Sequence, residues 1–283
     1  MTEGSGQALA GRRALITGAS AGIGAALAEG FAARGATVGI CARRADRLGE
    51  VLERCRAHAP ASRSWTIDLA DLDGVAGFAL QADDELGGID LLVNNAGIPK
   101  RRRVEATSPA EVDQVMAINF LSPVRLTSAL LPRMLERGRG QVLNVSSVAA
   151  RLSPPGEAAY AASKAAITAW SESLAVELWD TPVSVHLLNP GVVDTELFHL
   201  PDNDPMLADV EALPTSAVVD VVIDQLATGD LERFVPEWFA DVARMKANDL
   251  TGYLAGSAEW YRDARAQAAG DGAPVDAEPG SGT

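Results

Sequence analysis

Thr17-Gly18-Ala19-Ser20-Ala21-Gly22-Ile23-Gly24 is the stretch that decides the fold of this chain. It follows a short apolar run and precedes a helical pattern in which Ile23, Leu27 and Phe31 recur every four residues. Glycines between a strand and a helix allow a tight turn and let the backbone approach a phosphate, with the N–H groups of the helix N-terminus as donors. The stretch therefore predicts a strand–helix unit that binds a dinucleotide. Taken alone, a turn with incidental glycines is the alternative.

Short apolar runs alternate with longer helical patterns over most of the chain. The runs are rich in β-branched residues, as is typical of strands buried on both faces. Predicted strands cover residues 14–17, 37–42, 64–67, 91–94, 141–145, 183–188 and 233–235, with a helix over 217–226 before the last. This alternation predicts an α/β fold, a doubly wound Rossmann-type parallel sheet of about seven strands with helices on both faces, in a single domain. Ligands bind such sheets at the carboxyl ends of the strands.

The composition argues against several classes of protein. The 283 residues can bury a sizeable core, and the formal net charge of −14 disfavours nucleic acid and anionic membranes as partners. The first residues lack the pattern of a signal peptide, and no run approaches the roughly 18 apolar residues of a membrane span. Cys41 and Cys55 are too few for a disulfide framework and are expected to be buried and reduced. We expect a cytoplasmic protein.

The predicted domain covers residues 11–265. Two segments outside it and one inside it lack the alternation of strands and helices. Residues 1–10 are small and polar and are predicted to be flexible. Residues 266–283 are rich in Ala, Gly, Pro and Asp without periodicity and are predicted to form a disordered tail. Residues 198–214 contain three prolines and several acids, and we interpret them as a substrate lid over a pocket.

Tyr160 and Lys164 are four residues apart, which places both side chains on one face of a helix. A phenol has a reference pKa of about 10, and an ammonium beside it favours the phenolate and lowers that pKa toward a usable range. Ser147 precedes the pair and can donate a hydrogen bond to an oxygen on which negative charge develops. A dinucleotide turn and a tunable phenol together indicate hydride transfer involving an alcohol or a carbonyl.

The spacing G-x-x-x-G-x-G behind Thr17 resembles that of the short-chain dehydrogenase/reductase family, and the resemblance extends from about Arg12 to Thr195. Its catalytic tetrad is matched by Asn119, Ser147, Tyr160 and Lys164. Ser146 is a neighbouring candidate, but the spacing of the family favours Ser147. The residues that the resemblance implies for cofactor binding are Thr17, Gly18, Ser20, Gly22, Ile23, Gly24, Arg43, Arg44, Asp68, Leu69, Asn95, Ala96, Gly97, Tyr160, Lys164, Pro190, Gly191, Val193 and Thr195.

The resemblance also implies a role for each matched residue. Tyr160 would donate a proton to a carbonyl oxygen in reduction and accept one from an alcohol in oxidation. Lys164 would stabilise the phenolate and bond the nicotinamide ribose, while Asn119 would hold a water that links Lys164 to solvent. Asp68 would contact the adenine, and Thr195 the nicotinamide carboxamide.

Cofactor choice depends on Ala42-Arg43-Arg44 after the second predicted strand. Enzymes that use NAD usually carry an acid there for the ribose 2′-hydroxyl, whereas an arginine accommodates the 2′-phosphate of NADP. Ala42 takes the place of the acid, so NADP(H) is expected over NAD(H). Ala21 stands where many NADP-preferring relatives have a basic residue. The other interpretation is a solvated helix start in which Arg43, Arg44 and Arg47 neighbour Asp46.

Two further groups of side chains are open to more than one interpretation. Residues 100–103 form a basic run, Lys-Arg-Arg-Arg, which could attract an anionic substrate or carrier; a solvated loop paired with acids is favoured. Aromatic residues crowd the C-terminal part, and core packing is expected before an interface or a pocket wall: Phe234, Trp238, Phe239, Tyr253, Trp260 and Tyr261. The three histidines lack metal-ligand spacing, so no metal site is expected.

These observations predict an NADP(H)-dependent oxidoreductase that interconverts a secondary alcohol and a ketone, with a small-molecule substrate and a homodimer or homotetramer as the resemblance implies. A largely apolar substrate is expected from Leu152, Pro154, Pro155, Val192, Leu197, Phe198, Met206 and Leu207, which belong to segments near the pocket. The alternatives are a ketoacyl carrier-protein reductase, disfavoured because residues 165–177 contain no arginine, a non-catalytic NADP(H) sensor of the same fold, and an interaction scaffold that binds no nucleotide.

Overall fold

Seven parallel strands form one sheet in the order β3-β2-β1-β4-β5-β6-β7. The computed structural model describes residues 9–200, 202–207 and 211–270. Its strands are β1 (Arg13–Thr17), β2 (Thr37–Ala42), β3 (Arg63–Thr66), β4 (Leu91–Asn94), β5 (Gly140–Val145), β6 (Val183–Pro190) and β7 (Glu232–Val235). The predicted Rossmann-type sheet is confirmed, and only the strand ends differ from the prediction.

Helices cover both faces of the sheet and divide the apolar core into two clusters. One cluster joins β1 and β2 to α1, α2 and α8, with Phe31 and Leu48 fully buried. The other packs α3, α5 and α7 on the opposite face, with Leu126 and Leu130 at its centre. The helices are α1 (Gly22–Ala32), α2 (Ala45–Arg56), α3 (Leu72–Leu86), α4 (Pro109–Met116), α5 (Ser122–Glu136), α6 (Ala149–Leu152), α7 (Ala158–Glu177), α8 (Thr215–Thr228), α9 (Phe239–Asn248) and α10 (Leu250–Gly270).

α4 and α5 are parts of one helix, Pro109–Glu136, interrupted by a π-turn at Ala117–Leu121. Ser108 and Glu111 form a capping box at its start. Among the described residues, this is the one helix long and apolar enough to cross a membrane, although the sequence predicts none. Its apolar side packs against α3 and α7, and a core helix meets the same criteria.

Described residues at both predicted flexible ends belong to the folded domain. Leu9, in the predicted flexible segment 1–10, is 1% exposed and belongs to the core. α10 continues to Gly270, so the predicted disordered tail starts inside a helix. Alanine has the highest helix propensity, and the alanines at 264, 266, 268 and 269 extend the helix in spite of their lack of amphipathic periodicity. Residues 1–8 and 271–283 lie outside the described residues.

α9 and α10 lie beyond the sheet, and none of their described side chains is buried. α9 contacts β7 and α6, and α10 contacts α9. The expected core role of the aromatic cluster is therefore wrong: Trp238 and Trp260 are 53% and 45% exposed. The next subsection shows which of these rings border the cavity.

Candidate active site

A cavity of about 1500 Å³ lies at the carboxyl edge of the sheet and contains most of the predicted site. It is bordered by the segments after β1, β2, β3, β4, β5 and β6, as expected where the strand order of a doubly wound sheet reverses. The predicted site residues on its walls are Gly18, Ser20, Gly22, Ile23, Arg43, Arg44, Asp68, Leu69, Asn95, Ala96, Gly97, Ser147, Tyr160, Lys164, Pro190, Gly191, Val193 and Thr195.

The glycine turn fits a dinucleotide pyrophosphate. Gly18 and Gly22 have φ values of +67° and +57°, which favour glycine. A Cβ on Gly18 would lie 2.7 Å from Ala96 Cα, and one on Gly22 would lie 2.9 Å from Thr195 Cγ2. No side chain caps the start of α1, and its first turn has no acid, so its N–H groups can face an anion.

Three predicted site residues do not reach the cavity wall. Thr17 Oγ1 accepts hydrogen bonds of 3.0 Å from the N–H groups of Asn95 and Ala96. A Cβ on Gly24 would lie 2.5 Å from Gly18 O, so Gly24 permits close packing of α1. Thr17 and Gly24 shape the turn from behind, and the prediction that they serve cofactor binding is not tested by this geometry. The third is Asn119, in the π-turn Ala117–Leu121.

Arginines gather where β2 ends. Arg43 and Arg44 border the cavity, and Arg44 Nη2 donates to Ser20 Oγ at 3.2 Å. Arg44 Nη1 lies 2.8 Å from Glu196 Oε2, and Arg47 pairs with the other oxygen of the same carboxylate. On the β3 side, Asp68 Oδ1 accepts a hydrogen bond of 3.0 Å from Ala70 N. The cleft between these groups can hold an adenosine with a negatively charged ribose substituent.

Ser147, Tyr160 and Lys164 meet at the end of β5 and the start of α7. Lys164 is 4% exposed, its Nζ donates to Val145 O at 2.8 Å, and it lies 5.8 Å from the centre of the Tyr160 ring. Ser147 accepts a hydrogen bond of 3.1 Å from Ala149 N. Ser146 instead bonds Lys164 O at 3.1 Å and Thr168 Oγ1 at 2.9 Å, which are structural contacts.

Burial dominates the acid–base chemistry of this cluster. Burial raises the pKa of the Tyr160 phenol to about 12; a hydrogen bond from Ser147 lowers it in part, and the charge of Glu157 adds to the rise. Burial also lowers the pKa of the Lys164 ammonium to about 8. The expectation that Lys164 brings the phenol pKa down is thus not met in this geometry. Tyr160 is protonated at neutral pH and can act as a proton donor.

Asn119 lies in the π-turn between α4 and α5 and is 1% exposed. Its Nδ2 donates to Ile98 O and Ser163 Oγ, both at 3.0 Å, and its Oδ1 accepts from Ile98 N at 2.9 Å. A Cβ on Gly97 would lie 3.4 Å from both Asn119 Oδ1 and Lys164 Nζ. Asn119 therefore joins the loop after β4 to α7 next to the lysine, and π-turns are frequent at functional sites.

The outer half of the cavity is largely apolar. Most of the residues expected there border it, namely Leu152, Pro154, Pro155, Val192, Leu197, Met206 and Leu207, while the side chain of Phe198 lies outside the described residues. α9 and α10 complete this wall. Four of their aromatic residues match the pocket-wall alternative, namely Phe239, Tyr253, Trp260 and Tyr261. The other residues of these helices were not predicted: Met245, Asp249, Gly252, Gly256, Ser257, Arg265 and Ala268. The spacing of three and four residues along α10 was the available signal.

The basic run after β4 holds the predicted lid. Lys100 is 6% exposed, and its Nζ lies 2.8 Å from Glu111 and 2.9 Å from Asp202. Arg102 pairs with the same two acids at 2.6 and 3.1 Å. The basic run was expected to form a solvated loop paired with acids. The acidic partners are present, but Lys100 and Arg101 are buried.

Backbone groups complete the same contact between the basic run and the lid. Arg101 N donates to Asn203 Oδ1 at 2.7 Å, and Asp204 N donates to Arg101 O at 2.8 Å. The side-chain Nε of Arg101 donates to Asp204 O at 3.0 Å. Because Arg101, Arg103 and Asp204 also border the cavity, the run sets the position of one wall of the substrate half.

Neither a metal cluster nor a reactive thiol is found among the described residues. No group of three or more His, Cys, Asp or Glu side chains there could hold a metal ion. Cys41 and Cys55 are free and buried, and burial raises their thiol pKa values to about 12 and 11. The remaining candidates for chemistry in the cavity are the groups around Tyr160.

Comparisons with known proteins agree with this geometry. Residues 12–204 match the sequence model of the short chain dehydrogenase family. A short chain dehydrogenase of Pseudocercospora fijiensis is 41% identical over 192 residues, which are 67% of this chain and 62% of that protein. The chain thus spans about three fifths of the length of this relative.

Two solved structures show the same fold. A metagenomic short-chain oxidoreductase in complex with NADP has a TM-score of 0.68 and 33% identity, over 80% of this chain and 97% of that chain. A short chain dehydrogenase/reductase from Burkholderia phymatum in complex with NAD has a TM-score of 0.78 and 23% identity, over 86% and 95%. From its sequence, its sheet and its cavity, this chain belongs to the short-chain dehydrogenase/reductase family of oxidoreductases.

Proposed function

We propose that the chain is an NADP(H)-dependent oxidoreductase that interconverts a secondary alcohol and a ketone on a largely apolar substrate, with Tyr160 as general acid and base. The observation that carries this proposal is the meeting of Ser147, Tyr160 and Lys164 on the cavity that the glycine turn also borders. The nicotinamide cofactor would supply or take up the hydride. The cradle of Gly18 and Gly22 and the uncapped start of α1 support its binding.

Each catalytic side chain has a task that follows from its surroundings. With a pKa of about 12, Tyr160 keeps its proton at neutral pH and donates it to the carbonyl oxygen in reduction. Ser147 donates a hydrogen bond to the same oxygen, where negative charge develops. Lys164 orients the ribose, and a water held near Asn119 would return the proton. Oxidation of the alcohol needs the phenolate, so it is favoured at high pH.

Preference for NADP(H) is supported by Arg43 and Arg44, which border the cavity at the end of β2, where Ala42 replaces an acid. Solved relatives bind either cofactor: the one at 33% identity is in complex with NADP, and the one at 23% identity is in complex with NAD. The proposed preference for NADP(H) therefore rests on the positive charge of Arg43 and Arg44 after β2.

The apolar outer half supports a hydrophobic substrate. Leu197, Met206 and Phe239 border the same cavity as Tyr160. Cavity-facing residues of α10 run from Gly252 to Ala268, which corresponds to about 24 Å of helix at 1.5 Å per residue. An extended apolar ketone fits such a wall better than a sugar does.

The proposal is tested by steady-state kinetics and by Tyr160→Phe. kcat/KM should favour NADPH over NADH on a panel of apolar ketones, and equal or reversed values would refute the cofactor assignment. Tyr160→Phe should reduce turnover by about 10³-fold, while NADPH binding, followed by fluorescence, stays unchanged. NADPH binding without any turnover by the wild type would favour the sensor, and absence of binding would favour the scaffold.

A cytoplasmic location and a homodimer or homotetramer belong to the same proposal. Family membership supports the second. Cell fractionation and light scattering of the purified protein would test them.

A further inference from the structure

Glu196 reaches across the cofactor cleft. It follows Thr195 and begins the 3₁₀ turn Glu196–His199, on the segment that leads from β6 toward the lid. Its carboxylate contacts Arg44 at 2.8 Å and also Arg47, both on the opposite side of the cleft. Arg44 in turn donates to Ser20 in the glycine turn at 3.2 Å. One acid therefore connects the lid segment, α2 and the phosphate turn.

Of the two guanidinium groups that Glu196 contacts, that of Arg44 borders the cavity and suits a 2′-phosphate. Arg43 borders the same part of the cavity and makes no ion pair within the described part of the chain. A phosphate monoester carries −1.5 to −2 charges near pH 7, against −1 for a carboxylate. Since Glu196 and its partners are about half exposed, their pairs are weak and exchange readily. A 2′-phosphate can thus replace the carboxylate on Arg44.

We propose that Glu196 is a specificity-determining residue that competes with the cofactor 2′-phosphate for Arg44, and so limits the discrimination between NADP(H) and NAD(H). The inference rests on the proposed use of NADP(H). The hydrogen bond from Arg44 lowers the pKa of Glu196, so the acid is charged at neutral pH and the competition operates there. NAD(H) has no 2′-phosphate and leaves the contact between Glu196 and the arginines in place.

The test compares Glu196→Gln with Glu50→Gln. Glu50 lies on α2, is exposed and does not border the cleft, but its negative charge is close enough to stabilise the Arg47 guanidinium. Glu50→Gln therefore removes one negative charge near the arginines and keeps the contact of Glu196 with them. The probes are 2′,5′-ADP and 5′-AMP, titrated by calorimetry into each full-length protein. Glu196→Gln should bind 2′,5′-ADP about three- to fivefold more tightly, with 5′-AMP unchanged. Glu50→Gln should change both by less than twofold.

Each outcome decides the matter. Equal gains in the two variants, weaker binding of 2′,5′-ADP to Glu196→Gln, or a matching gain for 5′-AMP would overturn the inference. If the wild type binds both probes equally, the proposed preference for NADP(H) fails instead. Thermal unfolding of the free proteins checks that neither substitution alters the fold.

Discussion

The two halves of the cavity are built by different means. The cofactor half is formed by backbone: Gly18 and Gly22 form the turn between β1 and α1, and the N–H groups of α1 can face the cleft. The substrate half is held by side chains: Lys100 and Arg102 both pair with Asp202, and the described residues 202–207 form no helix or strand. Backbone geometry depends on the sequence of the turn itself, whereas ion pairs between distant segments depend on the tertiary structure. A change in the substrate half is therefore expected to leave the glycine turn of the cofactor half in place.

The largest effect is expected where the halves meet, at Ser147. Ser147→Ala should lower kcat by about 10²- to 10³-fold, because it removes a donor to the developing oxyanion. It should also shift the rise of alcohol oxidation to higher pH, since the hydrogen bond from Ser147 lowers the pKa of Tyr160. Stopped-flow rates against pH measure both. Ser146→Ala, which removes only contacts with Lys164 O and Thr168, is the control and should keep the wild-type profile.

The backbone construction of the cofactor half is tested at Gly18. Gly18→Ala adds a Cβ 2.7 Å from Ala96 Cα at a φ of +67°, so the turn must move, and NADPH binding should weaken by about 10²-fold. Gly138 has a φ of +69° with open space around it. Gly138→Ala should cost about 1–2 kcal/mol of stability and leave binding intact. An equal loss of NADPH binding in both variants would mean that backbone strain at a positive φ, rather than the crowding of the new Cβ against Ala96, weakens binding.

The side-chain construction of the substrate half is tested at Lys100. Lys100→Met removes the buried one of the two cations that Glu111 and Asp202 share and leaves Arg102, so the lid should loosen and the KM for a ketone should rise about tenfold. The KM for NADPH should stay constant, because the cofactor half does not depend on this contact. Arg244→Met, in an exposed pair with Asp241, is the control. A rise in the KM for NADPH as well would refute the independence of the two halves.

The smallest effect is expected from Glu157, one turn before Tyr160. Its charge raises the pKa of the phenol, so Glu157→Gln should shift the onset of alcohol oxidation to lower pH, opposite to Ser147→Ala. Glu177→Gln, at the far end of α7, should leave the profile in place. A shift in the same direction as that of Ser147→Ala would contradict the assigned signs.

The sequence predicts most of the cofactor half because its determinants are local. A glycine turn between a strand and a helix has a recognisable spacing, and Tyr160 and Lys164 share a helix face by periodicity alone. Thr17 was assigned to the cofactor because it belongs to the motif, but whether it points into the cleft or behind it depends on the loop after β4. Such long-range packing leaves no trace in local spacing.

The substrate half was predicted less well for the same reason. The basic run was expected to pair with nearby acids, and Lys100 does pair with Glu111, but it also pairs with Asp202, which is 102 residues away. The aromatic residues of α10 were assigned to a core because apolar periodicity does not state what a helix faces. A wall of a cavity and a wall of a core have similar sequences, and only the tertiary structure separates them.

The π-turn at Ala117–Leu121 has a consequence for the whole helix from Pro109 to Glu136. One extra residue in a turn rotates everything after it by about 100° relative to a regular helix. α4 packs against α7, whereas α5 packs against α3. The π-turn therefore sets the angle around the helix axis between these two packing surfaces. A regular α-helix through the same residues would put one surface out of phase with the other. The side chain of Asn119 beside Lys164 is thus tied to the alignment of a helix 28 residues long.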